Sequence, residues 1–173
     1  MKPGPAAKRE SSRKPVTTAP IEVEHAEERD ITAISTLNNL FAPDGLTLPR
    51  SQEFVTMHLA DYQVVRDEGG AVLGCVALDE YSPSLVELVS LAVSPSAQGN
   101  GVGRRLIAAA EDLAQQRGYP QLFAVSLADG LFLSAGFHES SIDVYPEKIA
   151  RYVKISRSEL SIGRKFCFAR ALR

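Results

Sequence analysis

The stretch Leu91-Ala92-Val93-Ser94-Pro95-Ser96-Ala97-Gln98-Gly99-Asn100-Gly101-Val102-Gly103-Arg104 runs from an apolar strand pattern through a glycine-rich loop into a helical pattern. Glycines let neighbouring N–H groups converge on a ligand without side-chain obstruction, and a helix N-terminus adds positive potential. Together they make a seat for a diphosphate. Arg104 and Arg105 fall in the first helical turn, where the dipole disfavours cations and a bound anion would offset the cost. The glycines at 99, 101 and 103 lack the G-x-G-x-x-G spacing of a dinucleotide fingerprint, and no Lys-Ser/Thr pair follows them, which excludes a Walker loop. A second candidate is Glu87, which interrupts the apolar run Val86–Val93. A carboxylate there costs free energy unless it is paired or used as a proton acceptor. The plainer alternatives are a connector loop and a solvent-facing glutamate.

The elements that position these residues follow from periodicity. Ile21–His25 alternates as a half-buried strand does, and Asp30 is placed to cap a helix carrying Ile31, Ile34, Leu37 and Leu40 on one face. Pro43, Asp44 and Gly45 stop that helix, and Ser51 caps a second, short one reaching about Leu59. Tyr62–Arg66 and Val72–Leu78 flank Asp67-Glu68-Gly69-Gly70 as a hairpin, and Val86–Val93 adds a third strand ended by Pro95. Residues 104–117 are helical, with Leu106, Ile107, Ala110, Leu113 and Ala114 on one face and Gly118 at the C-terminal cap. A buried strand at Leu122–Ser126, a short helix at Gly130–Ala135, a turn at Gly136-Phe137 and a final strand at Phe166–Ala171 complete the order. The fold class expected is α/β, with an antiparallel front and a parallel crossover around the long helix.

Bulk properties narrow the function. The 173 residues, 45% hydrophobic, suit one domain with a single core and leave no room for a second large one. A net charge of -2 gives no reason to expect nucleic acid or a membrane surface as partner. No apolar run reaches the length of a membrane span, and the start has no signal-peptide apolar region. Two distant cysteines, Cys75 and Cys167, argue against a disulfide framework and a metal site, and for a cytoplasmic protein. Residues 1–20, basic and proline-rich, are expected to be a disordered tail ahead of a domain over 21–173.

The pattern Gln98-x-x-Gly101-x-Gly103 resembles the Q/R-x-x-G-x-G/A signature of the GNAT acetyltransferases. Within them, the strings Leu46-Thr47-Leu48-Pro49-Arg50-Ser51, Gly74–Leu78, Glu87–Val93, Leu122–Ser126 and Gly136-Phe137 resemble, in order, the acetyltransferase domain of the N-acetylglutamate synthases over about residues 21–172. The resemblance implies a mostly antiparallel sheet with a V-shaped splay between its fourth and fifth strands, flanked by helices. It implies acetyl-CoA as co-substrate and no metal. Leu91, Ala92 and Val93 would hold the cofactor arm through backbone groups, and Gln98, Gly99, Asn100, Gly101, Val102, Gly103 and Arg104 would surround the pyrophosphate.

The activity implied is direct transfer of acetyl to an amino group, L-glutamate being the first acceptor and another small or protein amine the alternative. Glu87 falls at the position of the synthases' proposed base, and Arg50, Ser90, Ser126, Lys148 and Arg164 at or near acceptor-contacting positions. A backbone N–H near Leu91 would polarise the thioester carbonyl. Phe132 stands where many relatives carry a tyrosine acid, and no serine is in register before the last strand, which leaves Tyr152, Ser161 or solvent as candidates to supply that proton. The partner expected is a small amine; whether two copies form a homodimer is left open by the residues.

Overall fold

Asp67 turns the chain at the hairpin: its Oδ1 accepts from the N–H groups of Gly69 and Ala71 at 2.9 and 2.8 Å, and Gly70 takes φ +87. From this turn a sheet spreads in both directions. The structure, a computed structural model, describes residues 20–154 and 166–173, with the backbone alone for 152–154. Its strands are β1 (Glu24–His25), β2 (Tyr62–Arg66), β3 (Val72–Ser82), β4 (Leu85–Val93), β5 (Gln121–Ser126), β6 (His138–Ser140) and β7 (Phe166–Ala171). They are ordered β1-β2-β3-β4-β5-β7-β6. Every pairing is antiparallel except β4 with β5.

The parallel crossover is made by α3 (Val102–Gln116), as its spacing predicted. Leu106, Ile107, Ala110 and Ala114 are fully buried against the sheet, each large one removing enough apolar surface to stabilise by about 1.5–3 kcal/mol. Gly74 on β3 makes room for them, since a Cβ there would lie 2.9 Å from both Leu106 and Val102. Gly118 takes φ +83 just past the helix, the left-handed residue expected there.

The opposite face carries α1 (Ile31–Leu40) and α2 (Gln52–Met57). Ser51 caps α2 as expected, accepting from the Phe54 N–H at 3.0 Å. Asp30 does not cap α1. Its carboxylate accepts from the Glu27 N–H at 2.7 Å and from Arg66 at 2.6 Å, closing the turn before the helix instead. The strand expected at Ile21–His25 is paired only at Glu24 and His25, because Ile21 and Val23 pack on the α3 core and the Ile21 carbonyl accepts from Arg105. Two elements were not anticipated, β6 and α5 (Pro146–Lys154). A short α4 (Asp129–Ser134) precedes β6. The expected tail lies outside the described residues, apart from residue 20. Among the described residues no helix is long and apolar enough to cross a membrane.

Candidate active site

β4 and β5 are paired only through Val86–Leu122, Glu87–Phe123 and Leu88–Ala124. Beyond Leu88 they part. On its other side, β4 pairs Ala92 with Cys75 but Val89 with Ala77, so β4 carries one residue more than β3 across that step. The surplus is a β-bulge, and Ser90 within it has φ +54, which makes it the one non-glycine residue in the left-handed region among those described. Its Oγ lies 3.2 Å from the Tyr62 hydroxyl, and its carbonyl accepts from the Cys75 thiol at 3.4 Å. Burial pushes that thiol up to about 12, so it is a packing group here.

The parting opens a cavity of about 380 Å³, lined by Val89–Val93, Gln98, Val125–Ala128 and Phe132, and at its other end by Leu46–Leu48, Arg50, Glu87 and Lys148. The expected cofactor residues gather beside it. Gly99 and Gly101 take φ +77 and +84, and Gly101 is the N-cap of α3. The first amides of that helix have no intrahelical acceptor. A Cβ on Gly103 would come 3.2 Å from Leu131. Gln98 donates to the Val93 carbonyl at 3.1 Å, tying the loop to the end of β4, and Arg104 donates to the Ser134 carbonyl at 2.7 Å. Val102 buries its side chain in the core, leaving only its backbone for a ligand. The Asn100 amide donates to the Ala97 carbonyl at 3.4 Å. A bare β4 edge, a slot between strands and a glycine-rich helix start together fit a long thioester ending in a diphosphate.

At the other end, Glu87 is 3% exposed and Lys148 5%. The Lys148 Nζ donates to both carboxylate oxygens, at 2.9 and 2.8 Å, and the Tyr81 hydroxyl donates to Oε2 at 2.7 Å. Burial first, then the Glu87 charge, raises the Tyr81 phenol, which therefore stays a protonated donor. Lys148 arrives on α5, anchored by Tyr145, which stacks on Phe123 at 4.1 Å beside Glu87 in the β4–β5 register. Lys148, expected among the acceptor contacts, lines the cavity and is also the counter-ion of Glu87.

Arg50 lies across the cavity with its guanidinium 4.2 Å over Phe54. Polar side chains of α1 fix the stretch leading to it. Asn38 donates to the Leu48 carbonyl at 2.7 Å, Ser35 and Asn39 donate to the Arg50 carbonyl, and the Arg50 N–H donates to Asn39. The Arg50 Nε is buried without a hydrogen-bond partner, an uncompensated donor beside the cavity. Ser126 lines the cavity too, accepting from the Ala128 N–H. Arg164 and Ser161 lie outside the described residues, as does the side chain of Tyr152. Sequence reasoning missed Tyr81, Ser35, Asn38 and Asn39; none carries a motif, and only Pro146-Glu147, a helix-start signal, pointed to α5.

A parallel pair splayed past three residues, a bulged central strand and a glycine-capped helix define an acyltransferase architecture. Residues 24–140 match the acetyltransferase (GNAT) family, and the chain belongs to that family. It is 35% identical over 129 residues to an uncharacterised N-acetyltransferase of Chlorobaculum tepidum, covering 75% of this chain and 83% of that one. It is 34% identical over 129 residues to the amino-acid acetyltransferase of Neisseria meningitidis, covering 73% of this chain but 29% of the relative. The N-acetylglutamate synthase from Neisseria gonorrhoeae, complexed with coenzyme A and N-acetyl-glutamate, superposes with a TM-score of 0.76 at 28% identity, over 91% of this chain and 36% of that one.

Proposed function

We propose that the protein is an acetyl-CoA-dependent N-acetyltransferase acting on a small amino acid, L-glutamate before others. The observation that carries this reading is the single cavity that joins the parted edge of β4 to the Glu87 carboxylate and the Arg50 guanidinium. The arm of the co-substrate lies along the backbone of Leu91, Ala92 and Val93, and its diphosphate at residues 98–104 and the start of α3. The Leu91 N–H stabilises charge developing on the thioester carbonyl oxygen. Glu87 takes the proton of the acceptor ammonium, directly or through water. The unpartnered Nε of Arg50 suits a carboxylate of the acceptor, with Ser90, Ser126 and Arg164 as further contacts. Lys148 and Tyr81 orient the Glu87 carboxylate.

A second reading, a different amine acceptor, is favoured by one observation: Lys148 is engaged by Glu87, which leaves Arg50 as the cation of the described cavity lining free to meet a carboxylate. A CoA-release assay across the standard amino acids, polyamines and N-terminal peptides separates the two. Turnover of glutamate is expected; turnover of another amine with none of glutamate would sink the first reading.

A further inference from the structure

Lys148 is a primary amine already seated on the group read as the general base. Its Nζ touches both Glu87 oxygens within 3 Å, inside the reach a base needs for the proton it removes. It lines the same cavity as the bulged strand and Gln98. An acceptor amine bonded directly to Glu87 lies, like the Lys148 Nζ, within about 3 Å of that carboxylate, so the two nitrogens are at most about 6 Å apart. Its four-carbon stem is flexible enough to cross that distance.

We propose that Lys148 is a self-acetylation site, modified within its own cavity by the bound acetyl thioester when no free acceptor amine is present. This rests on the acetyltransferase reading above. In the step, the Lys148 ammonium gives one proton to Glu87 and the freed Nζ lone pair forms a C–N bond to the acetyl carbonyl carbon. The C–S bond then breaks and its electron pair leaves with the CoA sulfur. That thiolate takes up the proton held by Glu87, and the second ammonium proton is released to solvent from the new amide nitrogen. The products are Nε-acetyl-Lys148 and CoA thiol. The modification removes the charge beside Glu87 and leaves one amide N–H where an ammonium had met both oxygens. An acetylated chain therefore holds a buried carboxylate without its counter-ion and is expected to lose transfer to free amines.

The experiment incubates the full chain with acetyl-CoA and no acceptor, then quantifies acetylation of every lysine by peptide mass spectrometry, with a urea-unfolded sample as baseline. Simple burial makes Lys148 slower in the folded chain than in the unfolded one. Self-acetylation makes it faster, and faster than the lysines within residues 1–20. Glu87→Gln should slow it by about 100-fold or more, as loss of a general base does. Adding a turned-over amine should slow it in the unmodified sequence, a control that does not depend on the variant folding. Lys148 modified no faster than in urea, or equally fast in Glu87→Gln, overturns the proposal. Calorimetry with CoA separates the two levels: binding with an unmodified Lys148 sinks self-acetylation alone, whereas absence of CoA binding sinks the acetyltransferase reading and this one with it.

Discussion

Along β4, from Val89 to Val93, the cavity follows a bulged strand edge with a left-handed Ser90, and the glycine-capped start of α3 sits beside it. At Glu87 the lining is drawn from separate segments, Arg50 pinned by α1 and Lys148 on α5, with Tyr81 on β3 behind them donating to Glu87. The first end can recognise any thioester with the same backbone and diphosphate, because the groups it offers are common to every residue type. On the function proposed above, the second recognises by charge and shape, so single substitutions would change what it accepts. That proposal puts the generic chemistry in the backbone and the discriminating chemistry in side chains.

Substitutions can break that division if it is false. Glu87→Gln should lower kcat by about 100- to 10,000-fold while leaving CoA affinity, read by calorimetry, within a factor of two or so; a comparable loss of CoA binding would show that the two ends are not separable. Asp30→Asn removes one partner of a buried ion pair and should cost about 3 kcal/mol in denaturant unfolding. Burial alone would raise the Asp30 carboxyl, but hydrogen bonds from Arg66 and the Glu27 N–H, with the Arg66 charge, outweigh it and hold the group below its ordinary 3.8. That contribution is therefore full above about pH 4 and is lost as pH falls through the lower folded value. Because Asp30 anchors the start of α1, acid should loosen Arg50 before the CoA seat, measurable as acceptor KM rising before CoA affinity falls.

Arg50→Ala should raise KM for a carboxylate acceptor by about 10- to 100-fold, the worth of a charge-assisted hydrogen bond, with kcat and CoA affinity little changed. Gly101→Ala places a Cβ at φ +84, costing about 1 kcal/mol of stability by thermal unfolding, and should weaken CoA binding while sparing acceptor KM. The smallest effect belongs to the cysteines. Burial holds the Cys75 thiol near 12 and the Cys167 thiol near 11, so thiolate is scarce below those values and iodoacetamide at pH 8 should leave the native chain unlabelled and active.

The two ends also differed in how far the residues announced them. Glycine spacing, the Asp67 turn, the Ser51 cap and the α3 stripe are local signals, and each led to the element observed. The acceptor end depends on polarity that runs against the usual pattern. On α5, Lys148 is buried and Ile149 is 39% exposed; on α1, Asn38 is fully buried and Leu40 is 54% exposed. Periodicity assigns the apolar residue inward in both places. The inversion becomes intelligible only when the partner is in view, the Leu48 carbonyl for Asn38 and the Glu87 carboxylate for Lys148, the latter 61 residues away in the chain. For Glu87 a solvent-facing place on an alternating strand stood as the plainer alternative to a paired or proton-accepting carboxylate, because nothing in β4 itself shows that both of its faces are covered.

The three residue pairs that join β4 to β5 have a consequence for how the molecule breathes. The sheet is two ladders, β1 to β4 and β5 to β7, stitched at one end and held together elsewhere by α3. Amide exchange in such a molecule need not follow a single opening event, since each ladder can unzip as its own cooperative unit while the other stays closed. A molecule wedged between the strands would bridge both ladders, extending protection to amides in β7 that it never touches.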